Sequence, residues 1–185
     1  MIDETLLEAE DNMDKAVEVA KDSFASIRTG QASSAMFAHI LVDYYGAPTP
    51  LQQLAAIAVP EPRTVTISPY DAGAKREIET ALRNSDLGVN PSDDGQLIRV
   101  NLPILTEERR KDYVKLARTK AEDSRITIRN MRRKAKDQID AAVKDGDVGE
   151  DEGARAEKEL DSLTKKHVDA IDALLAHKES ELLEV

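Results

Sequence analysis

Residues 105–144 read LTEERRKDYVKLARTKAEDSRITIRNMRRKAKDQIDAAVK, a stretch without proline or glycine. Val114, Ala117, Ala121, Ile128, Met131, Ala135 and Ala142 recur in it at the spacing of one helix face, with polar Ser124 and Gln138 interrupting. Thr106 is placed to cap the helix, and Glu107 and Glu108 suit its positive end. Running to about Lys144, it would be roughly 60 Å long at ~1.5 Å per residue. Such an apolar stripe must find partners.

Two further stripes supply them. Leu6, Met13, Val17, Ala20, Phe24 and Ile27 form a seam that stops at Thr29-Gly30, where glycine favours a helix end. After Gly146 and Gly149 break the second helix, a third carries Ala156, Leu160, Leu163, Ile171, Leu174, Leu175 and Leu182. Each stripe is buried by the other two in an up-down bundle.

All seven prolines lie between Pro48 and Pro103, so the middle of the chain obeys different local rules from its flanks. Phe37 to Tyr45 is β-rich, Gly46-Ala47-Pro48-Thr49-Pro50 is turn-forming, and Thr64 to Ile67 reads as a short strand. Ala72 to Asn84 has helical spacing after a possible cap at Asp71, and a last strand, Gln96 to Leu102, follows the turn residues Asn90 to Gly95. The expected fold is therefore α+β: an antiparallel three-helix bundle from residues 1–30 and 105–185, with a small β/α/β domain, 31–104, inserted. Crossings near 29–34 and 102–106 are read as hinges, with Thr29, Gly30, Pro103 and Thr106 as their residues.

The acidic N-terminus MIDETLLEAEDNMDK resembles neither a signal nor a transit peptide, no apolar run suffices to cross a bilayer, and cysteine is absent. A cytoplasmic chain without membrane contact or disulfides is expected. The net charge of -10 argues against a polyanionic partner unless charge is segregated. It is: residues 105–140 hold 12 basic and 7 acidic side chains, whereas residues 1–30 hold 3 and 8, 31–104 hold 5 and 8, and 141–185 hold 6 and 13.

Within that basic segment Lys111, Lys115, Arg118, Arg125, Arg129, Arg132 and Lys136 share one helix face, beside the apolar seam, with Glu122 the only interruption. Arginine's planar donor fork suits RNA phosphates and stacked bases. The same stripe also suits a solvated face paired to the acidic first and third helices. Other chemistry finds little support. Asp145, Asp147 and Gly149 imitate the start of a calcium loop, but Glu150 stands where its glycine is needed. His39, His167 and His177 lack ligand spacing, and packing or exposure accounts for them. No phosphate-cradling glycine loop occurs, and Asp93-Asp94 suits a turn. No catalytic residue, metal or cofactor is expected, so the chain is read as a binding protein and not an enzyme.

Ile27-Arg28-Thr29-Gly30, Tyr44-Tyr45-Gly46 with Thr49-Pro50-Leu51 and Gln53-Leu54-Ala55, and Ser85-Asp86-Leu87-Gly88-Val89-Asn90-Pro91 resemble the ribosome recycling factor family. So do Ile98-Arg99-Val100, Pro103, Leu105-Thr106-Glu107-Glu108-Arg109-Arg110-Lys111 and Arg129-Asn130-Met131-Arg132-Arg133-Lys134-Ala135. The resemblance implies an L-shaped monomer whose bundle binds large-subunit ribosomal RNA at the subunit interface. With elongation factor G and GTP, it would promote subunit splitting and release from mRNA. DNA is not an implied partner. Carried over by position, the RNA-contacting arginines fall on Arg28, Arg110, Arg129 and Arg132; Lys111, Lys115, Arg118, Arg125 and Lys136 rest on helix-face geometry alone. Gln31 and Ser34 depart from the family's usual Arg and Pro, which removes a charge and a φ restraint beside the expected hinge. The rival reading is a helical adaptor or chaperone-like protein, whose binding should depend on apolar contact more than on salt.

Overall fold

Thr106 opens the longest helix as its side chain suggests: its Oγ1 accepts the Arg109 backbone N–H at 3.1 Å. That helix is α4, Glu107–Lys144. It ends in a Schellman turn, with Gly146 at φ +76° and the Asp147 N–H donating to the Ala142 carbonyl at 3.0 Å. The computed structural model describes residues 1–184. It divides into two compact units, Met1–Phe24 with Lys115–Glu179, and Ala25–Val114 with the chain end from Ser180.

The first unit holds the greater part of α1 (Ile2–Ala25), α4 and α5 (Glu150–Leu183). Leu6, Ala9, Met13 and Ala20 of α1, Ala117, Ala121, Ile128, Ala135 and Ile139 of α4, and Ala156, Leu160 and Ile171 of α5 are all buried. Near the end of α4 the close approach depends on Gly153 of α5. A Cβ on Gly153 would stand 2.5 Å from Val143 Cγ2. His167 takes a seam position on α5, buried, with Nε2 2.6 Å from Asp14 Oδ1 on α1 and Nδ1 2.7 Å from the Leu163 carbonyl. It fills the gap between Leu163 and Ile171 that no apolar residue occupies. Lys178 is likewise buried in that row.

The second unit is built on two sheets. A hairpin of β1 (Leu41–Tyr44) and β2 (Ala47–Pro50) turns through Tyr45 and Gly46, both at positive φ, the geometry that matches the twist of a two-residue hairpin. After the single turn α2 (Leu51–Leu54), β3 (Ala55–Glu61), β4 (Thr64–Pro69), β5 (Pro91–Asp94) and β6 (Leu97–Asn101) make an antiparallel sheet in the order β3-β4-β6-β5. Val65 faces Val100 and Ile67 faces Ile98 across the central pair, all four fully buried. Ile78 and Leu82 of α3 (Lys75–Arg83) cover the same core, which Phe37, Val42 and Leu51 complete. Asp71 caps the turn before α3 by accepting the Gly73 N–H at 2.8 Å, and it also accepts the Tyr44 hydroxyl at 3.0 Å. Those bonds, the backbone one foremost, hold its carboxyl below the usual aspartate range.

Several local expectations change. Of Phe37 to Tyr45 only Leu41–Tyr44 is strand, because Ser33 caps a 3-10 turn over Ser34–Phe37. Residues 47–50 and 91–94 are strands β2 and β5 and not turns, and β3 is a strand beyond those the sequence pattern predicts. All three carry proline, and all lie on sheet edges, where a missing N–H costs no ladder bond. In β3 the register shifts between Ala58 and Glu61, so Pro60 sits in a bulge. Helix α1 ends at Ala25, before Thr29-Gly30; Gly30 keeps an ordinary φ, so no left-handed residue ends the helix there.

Candidate nucleic-acid interface

The basic face of α4 is two rows. At ~100° per residue, Arg118, Arg125, Arg132 and Lys136 fall on the flank of the Ile128 seam that turns toward α5. Arg118 Nε donates to Glu179 at 2.7 Å, Arg125 Nε to Asp172 at 2.8 Å, and Arg132 Nε and Nη2 both reach Asp161 Oδ1, at 2.7 and 2.6 Å. Lys136 bonds Asp140 at 2.7 Å and lies 3.9 Å from Glu157. This inner row is an interhelical ladder in which Arg118 stays 65% exposed while Arg125, Arg132 and Lys136 are largely covered. The physical reason is α5: once its seam is buried, its carboxylates at 157, 161, 172 and 179 border the same groove.

Arg125 is the most enclosed of the four, its side chain 19% exposed between Asp172 and Glu122, and those partners, Asp172 first, raise its pKa. The Asp140 carboxylate does the same for Lys136. The Arg132–Asp161 pair, 30% and 53% exposed, remains labile, since an ion pair that water reaches contributes only about 0–1 kcal/mol.

One step further from the seam lies an outer row, Lys115, Glu122, Arg129 and Arg133. Arg129 is 54% exposed and, among the described residues, pairs only with Glu122, at 3.5 Å. Lys115 and Arg133, with Lys134 beside it, are exposed and form no ion pair among the described residues. Arg133 and Lys134 border an open depression of about 530 Å³ with Asn130, Asp137 and Gln138. The helix-face reading passes over Arg133, between Arg132 and Lys136; the signal for it is the outer row's own spacing, 115, 122, 129, 133.

The remaining candidates belong to the second unit, together with Arg109, which is exposed. Arg28 is 6% exposed. Its Nη1 donates to the Leu87 carbonyl at 3.0 Å, its Nη2 donates to the Pro103 carbonyl, and its Nε has no partner among the described residues. Burial lowers its pKa, opposed by Tyr113. Arg110 is half-buried, with Nη2 3.5 Å from the Leu105 carbonyl. Lys111 pairs with Glu107 one turn back at 3.1 Å, open to solvent. Thr29 is buried and its Oγ1 donates to the Gln31 carbonyl at 3.1 Å. Gly30, Pro103 and Thr106 lie in this unit as well.

Among the described residues no group of His, Cys, Asp and Glu could hold a metal ion, and no helix is long and apolar enough to cross a membrane. The chain thus combines a helical unit that carries charged rows on α4 with a second unit built on a small antiparallel sheet. The profile described as "Ribosome recycling factor" matches residues 20–183. Ribosome-recycling factors of Kineococcus radiotolerans and Beutenbergia cavernae are 67% and 69% identical to this chain over the whole of both sequences. A solution structure of a ribosome recycling factor matches with TM-score 0.76 at 41% identity, covering 100% of this chain and 98% of that one. A second, at TM-score 0.69 and 42% identity over the whole of both chains, is described with the T. thermophilus ribosome recycling factor and E. coli elongation factor G bound to the E. coli post-termination complex. The chain belongs to the ribosome recycling factor family, whose members are non-enzymatic translation factors.

Proposed function

We infer that this chain is a cytoplasmic, monomeric ribosome recycling factor, which binds the post-termination ribosome and, with elongation factor G and GTP, promotes subunit splitting and release from mRNA. The observation that carries the reading is identity of 67% and 69% with ribosome-recycling factors along the entire chain. The partner is supported by the elongation factor G that accompanies the T. thermophilus factor on its complex.

The anchor is large-subunit ribosomal RNA, held by α4. Arg129 and Arg133 with Lys115 offer donors that no strong internal partner consumes, and phosphate contacts from such cations provide sequence-independent affinity. Arg132, Arg125 and Arg118 add to the grip by exchanging a carboxylate for a phosphate. Arg110 presents a half-buried fork and Lys111 an exposed amine. Arg28 contributes chiefly by holding the backbone near Leu87 and Pro103.

Light scattering of post-termination ribosomes tests the reading. Adding the chain with elongation factor G and GTP should drop the signal as subunits separate, and omitting any one component should abolish the drop. Scattering that is the same with and without the chain overturns it.

A further inference from the structure

The inner row poses a chemical problem for any polyanion that lands on α4. Asp161 and Asp172 are 53% and 50% exposed, so a phosphate that approaches Arg132 or Arg125 meets a carboxylate already in place. Asp161 takes both Nε and Nη2 of Arg132 on a single oxygen, and Arg125 is bracketed by Asp172 at 2.8 Å and Glu122 at 2.8 Å. Exposed pairs of this kind add little to folding. Their larger effect falls on the outside of the molecule, where each carboxylate cancels a cation and repels a neighbouring phosphate.

We propose that Asp161 and Asp172 of α5 are built-in competitors for the arginines, holding the chain's affinity for a polyanionic RNA surface below what its cations alone would give, so that it detaches after each round. The inference rests on the RNA-binding reading above. It follows from the antiparallel pairing of α4 and α5, which puts the acidic row of one helix against the cationic row of the other. A paired cation contributes less to counterion release than a free one, because its field is already neutralised. The carboxylates therefore lower both the affinity and its dependence on salt.

Asn at either position keeps the shape and one acceptor oxygen, so the arginine stays oriented while the negative charge leaves. Ribosome binding by the full chain, measured across salt concentrations, should tighten by about three- to ten-fold for Asp161→Asn and for Asp172→Asn at low salt. The slope of log K against log salt should steepen by about one for each. Over repeated rounds of splitting the variants should turn over more slowly, with the first round retained. Asp169→Asn is the control for net charge: Asp169 pairs with Lys165 on its own helix, and its variant should change affinity by less than about two-fold. Equal or weaker binding by both test variants, with an unchanged slope, overturns the inference while leaving RNA binding standing; so does equal tightening by Asp169→Asn. A wild-type chain that shows no salt-dependent ribosome binding removes the functional reading and the inference together.

Discussion

Arg28 and Arg132 are the same side chain in opposite circumstances. Arg28 is buried in the second unit and spends its guanidinium on two backbone carbonyls; Arg132 lies on the surface of the first and leans on one aspartate. A buried cation held by neutral acceptors loses water that only its fixed partners replace, so removing it leaves those acceptors unsatisfied. A surface cation held by a carboxylate can trade that partner for water or another anion at little cost. Folding should therefore depend on Arg28, and binding on the α4 rows.

The largest effect expected from this contrast is on Arg28→Ala, which should lower the unfolding free energy by about 3 kcal/mol, through lost charged hydrogen bonds and the space left behind. Denaturant titration checks it, and a loss near zero would place Arg28 with the surface arginines. Gly153→Ala sharpens the contrast from inside the first unit, where close helix contact, not charge, carries stability. The new Cβ collides with Val143, so about 1–2 kcal/mol should be lost despite alanine's better helix propensity. Arg132→Ala should cost under about 1 kcal/mol in the same titration, yet weaken ribosome binding several-fold. If it unfolds the chain and Arg28→Ala does not, the contrast is inverted.

The helices were legible because their information is local. Periodicity gave the three seams, and Thr106 and Gly146 mark the ends of α4 by side-chain and backbone chemistry that acts within a turn. The sheet was legible only at its centre. Thr64 to Ile67 and β6, Leu97–Asn101, carry apolar alternation, whereas β2, β3 and β5 are edges whose prolines imitate loops. His167 is read as packed or exposed, and the structure packs it: a polar residue can occupy a seam position when the neighbouring helix supplies an acceptor, here Asp14, and that acceptor lies 153 residues away. The cationic face was visible as spacing, but spacing cannot tell which flank the third helix will cover. Burial of Arg28 was invisible because its acceptors are main-chain carbonyls, which every sequence possesses.

Salt-dependent ribosome binding of Arg129→Gln with Arg133→Gln, against the wild type, bears most directly on the claim that the outer row of α4 supplies the grip. Affinity should fall by at least ten-fold at low salt, the slope of log K against log salt should drop by about two, and thermal unfolding should stay unchanged. Wild-type affinity and slope in the doubly substituted chain would contradict the account.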